Sequence, residues 1–161
     1  MPSLIKEIHG FLVKTKQTLA VAESCTGGLL SSLLTSRSGS SKFFTLGVVV
    51  YSNFSKHKLL KIPLSVINNH GAVSRQTALA LANNIRRIAQ TNYGLGITGI
   101  AGPTGAVLGK PVGTVFISIA GKDKTICRRF KFHGARSAIR RQSAFTALKL
   151  LERFILKISV N

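Results

Sequence analysis

The residues with chemical reach are mostly hydroxyls and amines, and they cluster. "VAESCTGGLL" (21–30) sets one carboxylate beside a serine, a cysteine and a threonine, then turns on two glycines. "GSSKFF" (39–44) adds Ser40 and Ser41, and "YSNFSK" (51–56) adds Tyr51 and Lys56. A serine is inert at neutral pH until a base takes its proton. A desolvated lysine, its pKa lowered by burial and cationic neighbours, can be that base, and a tyrosine hydroxyl can relay the proton. On the residues alone two nucleophiles stay open: Cys25 with a histidine, or a serine with an amine. Nothing in the sequence ties His57, His70 or His133 to Cys25.

Carboxylates are scarce. The chain has 23 Lys and Arg against 4 Asp and Glu, a formal charge of +19. The acids are Glu7, Glu23, Asp123 and Glu152, spread over the whole length. Glycosidase chemistry needs two carboxylates on one bond, and magnesium or calcium sites need several oxygen ligands. Neither has enough acids here, so no such metal site is expected, and catalysis falls to hydroxyls, amines and backbone donors. The glycine pair is not followed by Gly-Lys-Ser/Thr and is not Gly-x-Gly-x-x-Gly, which disfavours ATPase and dinucleotide readings. Only two cysteines occur, Cys25 and Cys127, with no CxxC, so a disulfide framework or zinc site is not expected.

The positive charge attracts anions: nucleotides, nucleic acid or acidic lipid. The basic residues are scattered rather than massed in a tail, and there is no Trp and only 2 Tyr. Nucleic-acid contact on such a surface is expected to be non-specific.

These residues need elements to position them. At 161 residues one domain, 1–161, is the natural count. No window reaches the roughly 18 uncharged apolar residues of a membrane helix, so no membrane partner is expected. The N-terminus has charges at helical spacing, unlike a secretory signal, and the cytoplasm is the expected compartment. Periodicity predicts a helix over 4–15, a buried strand over 18–23, and a helix in "LLSSLLTS". A strand should end at Tyr51, and a long helix should follow, capped by Ser74 with Val73 stapled to Ala78. Then come a strand over 93–99, a Gly/Pro loop, a hairpin of "TVFISIAG" and "TICRRFKF", and a last helix from Ser137 to about Lys157. Early alternation with a late hairpin predicts a three-layer α/β/α domain around a central mixed sheet. "ESCTGG", "YSNFSK" and "TGIAGP" then lie at the C-terminal ends of strands, where open α/β sheets bind ligands.

In this order and approximate spacing, "AESCTGG", "GSS..F", "VVVYSN..K", "HGAVS", "TGIAGP" and "KPVGTV" resemble the CinA C-terminal domain family, whose enzymes include nicotinamide-nucleotide amidases of the PncC type. The likeness runs from about Thr18 to Ala144, without the molybdopterin-binding-like domain that often precedes it, as in a stand-alone form. The resemblance implies hydrolysis of nicotinamide mononucleotide to nicotinate mononucleotide and ammonia, with self-association and no cofactor. It implies Ser41 as nucleophile, with Tyr51 and Lys56 handling its proton. Ser24, Thr26, Gly27, Thr98, Gly102 and Arg136 would hold the substrate or the developing oxyanion.

Two departures stand out. The family commonly has Gly-Asp-Arg before its last helix, whereas Gly134, Ala135 and Arg136 here drop the acid, with Arg140 one turn on. The interior of "AGPTGAVLGKPVG" also differs from the family's usual loop. The charge and these departures keep a second reading open: a nucleotide- or nucleic-acid-binding module whose enzymatic site has decayed.

Overall fold

A computed structural model describes residues 2–157. Its elements run α1 (Pro2–Thr15), β1 (Leu19–Glu23), α2 (Leu29–Leu34), a 3-10 turn (Ser40–Lys42), β2 (Phe44–Val49), α3 (Asn53–Leu60), α4 (Leu64–His70), α5 (Arg75–Ile88), β3 (Tyr93–Gly99), β4 (Thr114–Ala120), β5 (Thr125–Lys131) and α6 (Arg136–Ile155). The sheet order is β2-β1-β3-β4-β5. β1 pairs in parallel with β2 and β3, and β4 runs antiparallel to both β3 and β5. This is the mixed sheet expected: β1 and β3 at its centre are buried on both faces, while the edge strand β2 alternates half-buried and exposed residues.

Two apolar layers sandwich it. One packs α1, α2 and α6 against Leu19, Val21, Leu95 and Ile117. The other packs α3, α4 and α5 against Ala20, Ala22 and Val50. The last helix turns Ala144, Leu148, Leu151 and Ile155 inward, at the helical spacing read from the sequence. Ser74 caps α5 by accepting the Thr77 N–H at 3.1 Å, and Val73 packs on the small cluster that holds Ala78.

The helices α3 and α4 were not expected. Ser52 starts α3 with a reciprocal cap: its Oγ accepts the Ser55 N–H at 3.0 Å, and the Ser55 Oγ accepts the Ser52 N–H at 3.1 Å. The buried face of α3 is Lys56 and Leu60, while Phe54 and Leu59 lie exposed. A lysine occupies the inward position where periodicity looks for an apolar residue.

α5 lies unusually close to β3. A Cβ at Gly94 would fall 2.1 Å from the Ala82 carbonyl oxygen, and one at Gly96 would fall 2.6 Å from the Ala82 nitrogen. Backbone cannot yield as a flexible side chain would, so Gly94→Ala is expected to destabilise the fold by about 3 kcal/mol, at the upper end of overpacking costs. Urea denaturation reads this directly, and a loss under about 1 kcal/mol would show that α5 slides freely.

Candidate active site

β1 ends on Glu23, a carboxylate buried in the interior. Its oxygens accept the N–H groups of Gly28 (3.0 Å), Leu30 (3.1 Å) and Ser31 (2.7 Å) and the Ser31 hydroxyl (2.6 Å). It answers the orphan donors at the start of α2, which no other side chain caps. The acid is therefore a fastening. It holds the turn "SCTG", closed by the Gly27 N–H donating to the Ser24 carbonyl at 3.1 Å. The N–H groups of the turn's inner residues, Cys25 and Thr26, lie toward the Cys25 sulfur. Ser24 sits at its head.

Lys56 reaches this point from α3. It is 1% exposed, and its Nζ donates to the Val50 carbonyl at 2.8 Å, the Tyr51 carbonyl at 3.2 Å and Ser24 Oγ at 3.1 Å. Burial pushes its pKa down to about 8, with the nearby Cys25 thiol pulling slightly the other way. A neutral amine has two N–H groups and one lone pair. With both N–H groups held by the two carbonyls, the lone pair is left facing Ser24 Oγ. Cys25 cannot compete: burial pushes its thiol up to about 12, with the Glu23 charge adding to the rise against the turn's own N–H groups and Lys56, which pull it down. Both cysteines are free and buried.

A second set of groups closes over the turn. Tyr51, at the C-terminal end of β2, is 58% exposed, and its phenol oxygen accepts from Arg136 Nη2 at 2.7 Å. Arg136 Nη1 donates to the Gly102 carbonyl at 2.7 Å, so one guanidinium ties the first turn of α6 to the β2 end and the loop after β3. Arg140 grips the Thr26 carbonyl with Nε at 3.1 Å and Nη2 at 2.7 Å, and a Cβ at Gly27 would meet that guanidinium at 3.2 Å. Arg140, named from the sequence only as a neighbour of Arg136, is part of the site. Ser24, Lys56, Tyr51, Gly27, Gly102 and Arg136 all converge at this sheet edge.

Ser41 does not. It lies in the 3-10 turn before β2, whereas Tyr51 lies beyond the far end of that strand. Six extended residues span about 20 Å, too far for any proton to pass. The turn at Ser41 sits instead beside α1, where Phe43 meets the His9 ring edge-on at 5.3 Å. The expected nucleophile is corrected: the hydroxyl that the lysine reaches is Ser24. Two substrate contacts also change. Thr98 is buried and its hydroxyl donates to the Ala72 carbonyl at 2.8 Å, tying β3 to the turn before α5. The Thr26 side chain is sealed inside the turn, with its hydroxyl lacking a partner, and it acts through its carbonyl alone. The Tyr51 phenol meets Arg136 rather than Lys56, so no Tyr–Lys relay exists in this arrangement.

The model of the CinA C-terminal domain matches residues 2–155. The chain belongs to that family. A CinA-like protein from Syntrophus aciditrophicus is 47% identical over 149 residues, covering 92% of this chain, and another from Koribacter versatilis is 48% identical over 150 residues. The chain spans about a third of the length of these curated relatives, 36% in both cases. Among solved structures, the competence/damage inducible protein CihA from Agrobacterium tumefaciens is 34% identical with a TM-score of 0.90, each chain covered to 92%. A CinA superfamily protein from Klebsiella pneumoniae superposes with a TM-score of 0.92 at 28% identity, covering 96% of this chain and 97% of the other.

The resemblance implies an acid where this CinA domain has Ala135, and the structure gives that position a role. Ala135 is the N-cap of α6 and offers no side chain to the orphan N–H groups. An aspartate there would cap them and favour the positive end of the helix. Ala135→Asp is expected to stabilise the CinA domain by about 1 kcal/mol, read as a thermal midpoint raised by about 2–4 °C. An unchanged or lower midpoint would deny the capping role. Among the described residues no His, Cys, Asp or Glu side chains gather as a metal site, and no helix is long and apolar enough to cross a membrane.

Proposed function

We propose that this CinA domain hydrolyses the carboxamide of a nicotinamide nucleotide, nicotinamide mononucleotide first, by Ser24 nucleophilic attack with Lys56 as general base. One observation carries the reading: a buried amine with a pKa near 8 lies 3.1 Å from a hydroxyl at the head of a tight turn. In the neutral amine form, the lone pair takes the Ser24 proton as Oγ bonds to the carboxamide carbon. Negative charge then develops on the carboxamide oxygen, to be met by donors at the site, the Tyr51 O–H among them. The lysine ammonium returns its proton to the nitrogen, the C–N bond breaks, and ammonia leaves. Water attacks the resulting ester with Lys56 again as base, freeing nicotinate mononucleotide and Ser24. Tyr51, held by Arg136 through its oxygen, keeps its own O–H free to donate to the substrate.

Family membership supports the amide class, and Arg136 and Arg140 supply charge for the nucleotide's phosphate. A salvage reaction on a soluble nucleotide fits the cytoplasm. The test is ammonia release from nicotinamide mononucleotide, its nucleoside and the dinucleotide. Turnover of the mononucleotide well above the nucleoside is expected. Equal rates would remove the phosphate from recognition, and no release from any of the three would end the proposal.

A further inference from the structure

We propose that the opposite edge of the sheet carries a second binding site, a cationic groove that takes single-stranded nucleic acid. Two surface depressions lie between β5 and the last turns of α6, of about 730 and 250 Å³. Both are lined by Arg128 and Arg153, so they form one trough. Lys122, Lys124 and Lys157 line the larger part and Lys149 the smaller, while the Arg129 guanidinium lies on the other face, over Phe116 and on the Gly109 carbonyl. Asp123 is the single acid among the lining residues. Strand alternation explains the floor: Ile126, Arg128 and Phe130 share the β5 face turned toward α6, so cations stand beside apolar groups.

The groove is far from the candidate active site. Gln17, Asn92 and Tyr93 line its larger part, and they sit where β1 and β3 begin, whereas Ser24 follows the end of β1. A nucleotide substrate therefore does not explain it. A trough with cations on its walls and half-buried rings, Tyr93 and Phe130, along its floor matches how single strands are held: phosphates by charge, bases by aromatic and apolar contact. A membrane surface would want several projecting apolar side chains, but the most exposed ones, such as Phe54 and Leu108, stand on other elements, and only Leu156, 36% exposed, adjoins the groove.

The test is fluorescence anisotropy of a labelled 20-nucleotide deoxythymidine strand with the full chain, across ionic strength. Binding is expected with a log–log salt slope of about −3, as when four or five phosphates are neutralised on a single strand. The double variant Lys122→Glu with Arg153→Glu should weaken binding about tenfold or more at 100 mM salt. The control Lys42→Glu with Lys58→Glu carries the same charge change beside β2, the other edge of the sheet, and should cost under about threefold. If the reversal disturbs folding, Lys122→Gln with Arg153→Gln asks the same question. Equal losses in both pairs would reduce the effect to net charge and overturn the proposal. So would no binding at 50 mM salt, or capture of anionic phosphatidylserine vesicles through the groove without capture of the strand. Ammonia release should be unchanged in the groove variants.

Discussion

Replacing Ser24 by alanine is expected to lower kcat/KM for amide hydrolysis by about 10⁴-fold or more while the protein stays folded. Removing a nucleophile whose base remains leaves only binding and oxyanion stabilisation, which sustain a small residual rate. The structural cost should be slight. Ser24 contributes one side-chain hydrogen bond, from Lys56 at 3.1 Å, and a net loss of about 1 kcal/mol is the usual size. Lys56 keeps its two carbonyl partners in the variant, so the pocket does not collapse. The paired experiment is Ser41→Ala, which should leave activity within about twofold of wild type because its turn lies at the far end of β2. Single-turnover assays on both variants, with circular dichroism to confirm folding, separate the alternatives. Activity kept without Ser24 and lost without Ser41 would refute the assignment.

The layers, the mixed sheet and the long helices were legible because their apolar residues repeat cleanly. Ala144, Leu148, Leu151 and Ile155 announce α6, and the Ser74 cap announces α5. The site was legible as three loops at one edge and as residue types, an amine and hydroxyls without a carboxylate pair. Its wiring was not. α3 hid because one of its two inward residues is a lysine and two of its apolar residues face solvent, which cancels the amphipathic signal. With α3 missing, Lys56 looked like a loop residue near Tyr51, and its partner across the sheet could not be seen. Ser41 drew attention as the second serine of a motif, although "GSS" lies before a strand and "ESC" after one. Strand direction separates them: ligands gather beyond the carboxyl ends of parallel strands, where Ser24 lies and Ser41 does not. That signal was available in the sequence once β1 and β2 were read as parallel neighbours.

Glu23 shows why one of four acids was kept inside so basic a chain. A buried carboxylate without a cation is costly unless several donors meet it, and here four do. The return is a rigid start to α2 and a fixed turn, on which the Ser24 hydroxyl is aimed at an amine delivered from the other side of the sheet. Arg140 completes the clamp from α6 by holding the Thr26 carbonyl. Three elements from both helical layers thus fix a single short contact.

That contact should make activity climb with pH. Lys56 works as a base only when neutral, and with a pKa near 8 about a tenth of it is neutral at pH 7. kcat/KM is therefore expected to rise about tenfold from pH 7 to a plateau above pH 9, along a limb with an apparent pKa near 8. Lys56→Ala should remove the limb and lower the plateau by on the order of 10³-fold or more. The same group carries a stability signature of opposite origin. In the unfolded chain the amine titrates near 10.5, so between about pH 8 and 10.5 the unfolded state binds the extra proton and stability rises with pH. The full swing is about 3 kcal/mol. Because many other lysines titrate in that range, the measurement is the difference between wild type and Lys56→Met, followed by urea denaturation from pH 7 to 10. Wild type should gain on the variant by roughly that swing. A flat difference, together with a pH–rate profile lacking the limb near 8, would mean that the lysine stays protonated and holds Ser24 rather than activating it.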